Sequence, residues 1–242
     1  MPEIHPHILS KKAIGKKMLA VLLDPDKCTG ALLENVLSQF HRALPDFIFI
    51  GGSSKSCRTD ELVEALQNIP IPKILFPGDA SQFTEGADAI LFLSLISGRN
   101  PDYLIGQHVK SAQIIKKSTV EVIPTAYLLI DGATRSSVQR VSDTNPIHSD
   151  NIDLCISTAV AGELLGMKMV YLEAGSGAKN PVPTTMISAV KQSLDIPLIV
   201  GGGINSVEKL QQAYEAGADM VVVGNLFESQ PEKIADFVRM RS

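Results

Sequence analysis

Eight short apolar runs recur along the chain, separated by segments of helical character. The runs are nearly continuous rather than alternating, which is typical of strands buried on both faces. Eight such strands with intervening helices predict an α/β fold, a closed (β/α)8 TIM barrel with a parallel sheet. The predicted strands cover residues 18–23, 47–50, 73–76, 89–95, 120–130, 169–172, 197–200 and 220–223.

Capping residues predict where the main helices begin. Thr29 is expected to cap a helix to about residue 43, and Thr59 or Asp60 a helix that ends near residue 68. Asn100 is expected to cap a helix that begins at Pro101, and Ser206 is expected to cap a helix over residues 207–216. Further helices are expected near residues 152–165, after Pro183 and Thr184, and from Pro231. The first residues, with His5 and His7, are expected to be disordered.

The connection between the third and fourth strands is unusually short. It has about a dozen residues, near the minimum for a helical crossover, and contains Pro77, Gly78 and Gly86. We therefore predict that the third helix is missing or replaced by irregular or extended chain.

Length and composition narrow the class of protein. The chain has 242 residues, which suits a single TIM-barrel domain over residues 1–242. Its net charge is -4, and the sequence has no stripe of basic residues interleaved with aromatic residues. We therefore expect no nucleic-acid partner. Apolar runs stay below about 18 residues and the start is polar. This predicts a cytoplasmic protein with reduced cysteines (Cys28, Cys57, Cys155) and at most peripheral membrane contact.

Glycines follow the last two predicted strands. Gly201, Gly202 and Gly203 come after strand seven, and Gly224 with Asn225 after strand eight. Glycines let backbone N–H groups approach an oxyanion, and these loops are the usual phosphate site of such barrels. Tight turns would also need glycine, but both sites together favour phosphate binding.

A carboxylate ends the sixth strand. Tyr171 and Glu173 lie two residues apart and so share one face of the strand. Burying Glu173 against the outer helices would cost several kcal/mol (roughly 2–7 for a polar group), so we expect it at the barrel mouth. The alternative is a structural carboxylate that accepts hydrogen bonds from loop amides. The residues that follow, Ala174, Gly175, Ser176 and Gly177, can form a second wall of the phosphate site.

Other polar residues follow the first two strands. Asp24 and Asp26 follow strand one, and Ser53 lies after strand two. Because Mg²⁺ takes one or two carboxylates plus substrate phosphates, Asp24 is a candidate metal ligand, whereas Asp26 fits a helix cap. The chain offers no nucleophilic Cys or Ser with a partner base, so covalent catalysis is not indicated.

These motifs resemble the geranylgeranylglyceryl phosphate synthase family. The resemblance rests on YLEAGSGA (171–178), GGGI (201–204), GN (224–225), LDPDK (23–27) and GGS (51–53), in order from about Lys17 to Phe227. YLEAGSGA is highly specific, whereas GGGI and GN occur in many barrels. The segment 94–109 resembles the branch shared by many archaea and some bacteria more than the bacterial heptaprenylglyceryl phosphate synthases.

The resemblance implies a Mg²⁺-dependent prenyltransferase, which joins sn-glycerol 1-phosphate to geranylgeranyl diphosphate in the first step of ether-phospholipid synthesis. It places Mg²⁺ at Asp24 and Ser53 and makes Glu173, with Tyr171, catalytic. Ser94, Ile96, Tyr103, Thr125 and Tyr127 are loose candidates for the groove of the prenyl tail. The implied glycerol phosphate site comprises Tyr171, Leu172, Glu173, Ala174, Gly175, Ser176, Gly177, Gly202, Gly203, Gly224 and Asn225.

The resemblance also implies a homo-oligomer, since family members are dimers or hexamers. Two other functions stay open at this point. One is another phosphate-binding TIM barrel, such as a sugar-phosphate isomerase or a flavin enzyme. The other is a barrel that binds a phospholipid precursor without turnover. Tail length and stereochemical preference do not follow from the residues.

Overall fold

The predicted TIM barrel is confirmed by the computed structural model, which describes residues 3–52 and 58–241. In these residues eight parallel strands close in the order β1-β2-β3-β4-β5-β6-β7-β8, and β8 pairs with β1. The strands are β1 Met18–Leu23, β2 Phe47–Ile50, β3 Lys73–Leu75, β4 Ala89–Leu95, β5 Glu121–Leu129, β6 Met169–Glu173, β7 Leu198–Gly201 and β8 Met220–Val223.

Helices surround the barrel and also close its ends. Pro101, at the predicted start, is followed by a π-helical turn, Asp102–Gly106, that runs into α4. No helix in residues 3–52 and 58–241 is long and apolar enough to span a bilayer. The helices are α1 Ile4–Ala13, α2 Gly30–Phe40, α3 Thr59–Ala65, α4 Gln107–Lys117, α5 Ser137–Ser142, α6 Ile152–Leu164, α7 Thr184–Gln192, α8 Val207–Glu215, α9 Asn225–Ser229 and α10 Ile234–Met240.

The short third connection has the predicted consequence. Between β3 and β4 a single 3₁₀ turn, Ala80–Gln82, stands where a regular barrel has a helix. The Asp79 side chain accepts a hydrogen bond from Ser81 N–H and so caps this turn. The outer ring of helices therefore has a gap beside β4.

Two apolar layers follow from the alternation of side chains along each strand. In β6, Met169 and Tyr171 point into the barrel, whereas Val170 and Leu172 pack outward against the helices. The same alternation places Glu173 on the inner face, at the carboxyl end of the strand.

The expectation of a disordered start was wrong. Helix α1 covers the amino-terminal end of the barrel, where Ile4 and Ile8 pack against inner residues such as Met18 and Phe47. The backbone N–H groups of Ile4 and His5 donate to the Glu121 carboxylate. Two apolar residues in a polar segment are too weak a pattern to predict this helix, because its stability comes from tertiary packing.

Helix caps were predicted with mixed success. The Ser206 hydroxyl accepts from Lys209 N–H at 3.3 Å, as predicted, and Asn100 Oδ1 accepts from Asp102 N–H at 3.1 Å. Thr29 precedes α2, but its side chain makes no capping hydrogen bond. The residue before α3 is Arg58, so Thr59 and Asp60 lie inside that helix.

Candidate functional site

A cavity of about 830 Å³ opens at the carboxyl ends of the strands. Residues from the loops after β1, β2, β3, β6, β7 and β8 line it, and α5 contributes one wall. This is the end of a TIM barrel at which active sites form.

Glu173 is the carboxylate at the centre of this cavity. It is 6% exposed, and Oε1 accepts a hydrogen bond of 2.7 Å from the Gly175 N–H. Burial raises the pKa of Glu173, while the hydrogen bond from Gly175 and the nearby Tyr171 hydroxyl oppose that rise. A buried carboxylate with a raised pKa is suited to take a proton near neutral pH. The hydrogen bond from Gly175 N–H is also what a structural carboxylate would accept from a loop amide. Glu173 can therefore both hold this loop and act as a base.

Tyr171 lies beside Glu173 on the same face of β6. Its ring stacks on Phe76 with centroids 5.4 Å apart and meets Tyr127 edge-on at 5.3 Å. Its hydroxyl is buried close to the Glu173 carboxylate, but no hydrogen bond between them has suitable geometry. Burial, followed by the charge of Glu173, raises the pKa of Tyr171. Tyr171 therefore stays a neutral phenol whose O–H lies near the Glu173 carboxylate.

Glycines form the wall around Glu173 because side chains would not fit there. Gly202 has φ +82°, and a Cβ on it would lie 2.5 Å from Glu173 Oε1 and 2.7 Å from Gly175 N. Gly203 has φ +70°, and its Cβ would meet the backbone of Asn180 at 2.9 Å. These residues line the cavity, so backbone N–H groups rather than side chains face a ligand here.

The loops after β6 and β8 are joined across the cavity. Ser176 Oγ donates to Asn225 Oδ1 at 2.8 Å, and Gly177, at φ +71°, has the Asn225 amide 3.5 Å from its Cβ position. With Gly224 these residues complete a polar wall of the cavity. We call Gly175, Ser176, Gly177, Gly202, Gly203, Gly224 and Asn225 the glycine-rich wall.

Two predicted binding residues are placed elsewhere. Leu172 belongs to the outer apolar layer and does not line the cavity. Ala174 is also buried in that layer, and its N–H donates to Gly201 O. Their side chains therefore support the wall from behind, and nothing in their placement provides a ligand contact.

Asp24 lies on the opposite rim, at the end of β1. Oδ1 accepts from Asp26 N–H at 3.0 Å, and Oδ2 is 3.6 Å from Lys27 Nζ. A Cβ on Gly52 would lie 3.1 Å from Asp24 Oδ2, so the glycine keeps space open in front of the carboxylate. Ser53, the second predicted metal ligand, lies outside the described residues.

The rim also carries an ion pair that the sequence did not reveal. Lys27 Nζ lies 3.0 Å from Glu228 Oε2. Burial lowers the pKa of Lys27, but Glu228 and Asp24 together raise it overall. Arg140, from α5, also lines the cavity. Cations thus lie near a cavity suited to anionic groups.

The residues fit Mg²⁺ in the way expected of a substrate-bridged ion. Among residues 3–52 and 58–241, no three His, Cys, Asp or Glu side chains form a metal cage. Mg²⁺ needs only one or two carboxylates when substrate phosphates supply other ligands. A single carboxylate at Asp24 beside the open space at Gly52 meets that requirement.

An apolar extension of the cavity runs down the outer face of β4 beside the 3₁₀ turn. The Phe92 and His108 rings lie 4.1 Å apart there, and Tyr103 lines its upper end. We call this extension the arm and define it by Phe83, Ile90, Phe92, Tyr103, His108 and Ser111.

Only some of the candidates for a tail groove line the cavity. Tyr103 and Tyr127 line the cavity. Ser94 instead donates to Leu104 O, and Thr125 to Ile123 O, while Ile96 packs on the outer layer. Phe92, His108 and Ser111 were missed because no local motif marks them; only the gap between β3 and β4 pointed to this region.

Helix α5 is a second feature that sequence reasoning missed. Val138 packs against the inner aromatic and aliphatic residues of the mouth. A Cβ on Gly175 would lie 2.5 Å from Ser136 Cβ, so the start of α5 sits directly on the glycine-rich wall. The helix closes the mouth above β5.

Comparison with known proteins gives a consistent result. The model of the PcrB family matches residues 12–241. The chain is 50% identical to geranylgeranylglyceryl phosphate synthase of Flavobacterium johnsoniae, over 93% of this chain and 94% of the relative. It is also 50% identical to the synthase of Zunongwangia profunda, over 95% and 98% of the two chains.

A solved structure shows the same architecture. It is (S)-3-O-geranylgeranylglyceryl phosphate synthase from Thermoplasma acidophilum, in complex with its substrate sn-glycerol-1-phosphate. The identity is 33%, the TM-score is 0.91, and the match covers 99% of this chain and 98% of the other. With the family match over residues 12–241 and the barrel described above, the chain belongs to the PcrB family.

Proposed function

We propose that the protein transfers a prenyl group from geranylgeranyl diphosphate to the 3-hydroxyl of sn-glycerol 1-phosphate, releasing diphosphate. The observation that carries this proposal is the position of Glu173, buried between the glycine-rich wall and the route to an apolar arm. A phosphate site on one side and an apolar site on the other suit a small polar acceptor and a lipid donor. Two relatives that are 50% identical to this chain carry the name of such a synthase.

The glycine-rich wall would hold the acceptor by its phosphate. Backbone N–H groups can converge on phosphate oxygens only because Gly202 and Gly203 have no side chains. The start of α8 lies after this loop, and its dipole favours an anion. Holding the phosphate fixes the distance from the acceptor hydroxyl to Glu173, which lowers the entropic barrier to reaction.

The donor would lie with its diphosphate near Asp24 and its tail in the arm. Mg²⁺, held by Asp24 and by Ser53 as predicted, would neutralise the diphosphate and make it a better leaving group. Lys27 and Arg140 line the same cavity and would add positive charge. The rings of Phe76, Tyr127 and Tyr171 pack together and line the cavity, where they would border the allylic carbon.

The chemical step then needs one bond broken and one formed. The C1–O bond of the donor breaks, and its electron pair leaves with diphosphate. The acceptor hydroxyl oxygen bonds to C1, and its proton passes to Glu173. Because the allylic carbon is cationic as the bond breaks, the hydroxyl need not be deprotonated first. Glu173 therefore accelerates the reaction without being required for binding.

A label-transfer assay tests the proposal. The purified protein is incubated with Mg²⁺, radiolabelled sn-glycerol 1-phosphate and a series of polyprenyl diphosphates. Label should enter the organic phase with the geranylgeranyl donor and should be lost with a chelator. sn-Glycerol 3-phosphate serves as the matched acceptor control. Failure of every donor to move label, with the protein folded, would refute the transferase and leave a non-catalytic binding barrel.

We also propose cytoplasmic location and a homo-oligomer of dimer or hexamer size. The cytoplasmic location is supported by the buried thiols of Cys28 and Cys155, which are free, because reduced cysteines are usual inside cells. The oligomer is supported by exposed aliphatic residues, including Val109 on α4 and Leu164 and Leu165 at the end of α6. Sedimentation of the purified chain tests the oligomer directly.

A further inference from the structure

The first and last loops of the barrel meet at the rim of the cavity. Because β8 pairs with β1, the loop after β1 lies beside helix α9, which follows β8. Lys27 Nζ donates to both carboxylate oxygens of Glu228, at 3.2 and 3.0 Å, across a separation of 201 residues. Asp24 Oδ2 lies 3.6 Å from the same ammonium. One cation is thus shared between two carboxylates, and all three residues line the cavity.

This ion pair contributes little to the stability of the fold. The Lys27 side chain is 50% exposed, and exposed ion pairs gain little free energy because solvent screens them and two side chains lose freedom. A different role follows from Asp24, the candidate Mg²⁺ ligand, since a cation bound there would repel the nearby ammonium. Glu228 offers a second carboxylate, which can then keep the ammonium at the rim.

Helix α9 also connects Glu228 to the glycine-rich wall. Gly224 O accepts from the N–H groups of Phe227 and Glu228, at 2.8 and 3.3 Å. Asn225 begins the helix, and its Oδ1 accepts from Ser176 Oγ. Phe227 is fully buried in the outer apolar layer and anchors the turn. A single anchored turn thus joins two residues of the wall to the carboxylate that holds the ammonium.

From these contacts we propose that Glu228 is a positioning residue, which holds Lys27 ready for the diphosphate of the donor and couples binding of the two substrates. The assignment rests on the proposed sites for the acceptor phosphate at the glycine-rich wall and for the donor diphosphate at Asp24. A phosphate bound at Gly224 and Asn225 fixes the start of α9. It therefore also fixes the Glu228 carboxylate and the ammonium paired with it.

The coupling follows from the ordering of the Lys27 side chain. A lysine side chain loses much rotational freedom when it is held in one place. Where the acceptor has already ordered it, diphosphate binds without that loss, so the affinity for diphosphate rises. By linkage, diphosphate raises the affinity for the acceptor by the same factor. We expect a factor of about five, at the lower end of the usual range, because only one side chain is ordered.

Binding of inorganic diphosphate tests the coupling without transfer and without the arm. The full chain with Mg²⁺ is titrated with inorganic diphosphate in a calorimeter, with and without saturating sn-glycerol 1-phosphate. In the natural chain the acceptor should tighten diphosphate binding about fivefold. In Glu228→Gln the acceptor should have almost no effect on diphosphate binding. The affinity for the acceptor alone should not change, because the backbone hydrogen bonds of α9 do not depend on this side chain.

Further variants show whether Glu228 acts through Lys27. Lys27→Met keeps an unbranched side chain but removes the ammonium, so it should weaken diphosphate binding about tenfold and abolish the coupling. Adding Glu228→Gln to Lys27→Met should then cause no further change, as expected of a double-mutant cycle in which one residue acts only through the other. Asp236→Asn replaces a carboxylate by an amide in an exposed ion pair on α10 and should keep the coupling.

A role of charge alone predicts the opposite result. Removal of the Glu228 carboxylate makes the rim less negative, so Glu228→Gln would then bind diphosphate more tightly than the natural chain. Loss of a positioning residue should instead weaken diphosphate binding about fivefold when the acceptor is present. The direction of the change therefore separates the two roles.

The outcomes are distinct. Coupling that persists in Glu228→Gln overturns the proposal, as does a natural chain in which acceptor and diphosphate bind independently or compete. A further loss in the double variant also counts against it, because Glu228 would then act by another route. Label transfer without coupling would refute the role of Glu228 and leave the transferase. Coupling without label transfer would refute the proposed transferase and leave the role of Glu228.

Discussion

The two sides of the cavity are built from different parts of the protein. The glycine-rich wall offers backbone N–H groups, and its shape depends on residues that lack side chains, such as Gly202. The arm offers side chains, and it exists because a single 3₁₀ turn takes the place of a helix. The proposed phosphate site is therefore predictable from local sequence motifs, whereas the proposed tail site depends on the space between elements that are distant in sequence.

The largest effect is expected at Glu173, where the two sides meet. Glu173→Gln keeps the volume and an oxygen that can accept from Gly175 N–H, but it removes the base. The rate of label transfer should fall by about 10²- to 10⁴-fold, while the affinity for sn-glycerol 1-phosphate changes little. An equal loss of acceptor affinity would show that Glu173 holds the wall in place rather than acting in catalysis.

A methyl group on the glycine-rich wall should damage acceptor binding. In Gly202→Ala the new Cβ would lie 2.5 Å from Glu173 Oε1, so the wall and the carboxylate must shift. We expect the affinity for sn-glycerol 1-phosphate, measured by calorimetry, to fall by at least about tenfold.

Gly166 provides the matched control for this substitution. It has a similar positive φ of +88°, but nothing lies within 4 Å of its Cβ position. Gly166→Ala should therefore lose only about 1–2 kcal/mol of stability to backbone strain and bind the acceptor normally. Equal affinity losses in both variants would mean that strain, not the shape of the wall, controls binding.

A substitution in the arm should weaken binding of the donor and leave binding of the acceptor unchanged. Phe83→Ala, beside the 3₁₀ turn, removes apolar surface from the lining and should raise the KM for the geranylgeranyl donor about tenfold. The affinity for glycerol phosphate should not change, because Phe83 is not part of the wall. Ile14→Ala, at a residue 77% exposed just after α1, is the control. A change in acceptor affinity would contradict the separation of the two sides.

The smallest effect concerns stability and pH. Burial raises the pKa of Glu173 above its ordinary value of 4.5. This carboxyl group therefore ionises at a lower pH in the unfolded chain than in the native protein. Its ionisation therefore destabilises the fold as pH rises above about 4.5, and not below it. Glu173→Gln should unfold at a temperature about 2–4 °C higher near neutral pH, about 1 kcal/mol. The two melting curves should converge near pH 4.

These differences explain what the sequence could predict. The eight strands of the barrel could be predicted because each is a short apolar run, such as residues 220–223. The missing helix could be predicted from the short connection after β3. The position of Glu173 followed from sharing a face with Tyr171. The same alternation places the side chain of Leu172 on the outer face, since neighbouring residues of a strand point to opposite faces.

Other features depend on contacts that no local pattern records. Helix α1 is held by the burial of Ile4 and Ile8, and α5 by the packing of Val138 on the mouth. His108 is an ordinary polar residue of a helix until β4 and the 3₁₀ turn enclose it. The metal-binding role of Ser53 stays a prediction, because it lies outside the described residues.

The single turn between β3 and β4 also makes the architecture modular. It leaves one side of the helical ring open at a place that shares no residue with the loops after β6, β7 and β8. Substitutions in the unit formed by β4 and α4 can therefore alter the lipid partner while the polar partner is still held as before. The lipid specificity of such a barrel can thus change through substitutions in one β/α repeat, without changes in the loops that hold the polar partner.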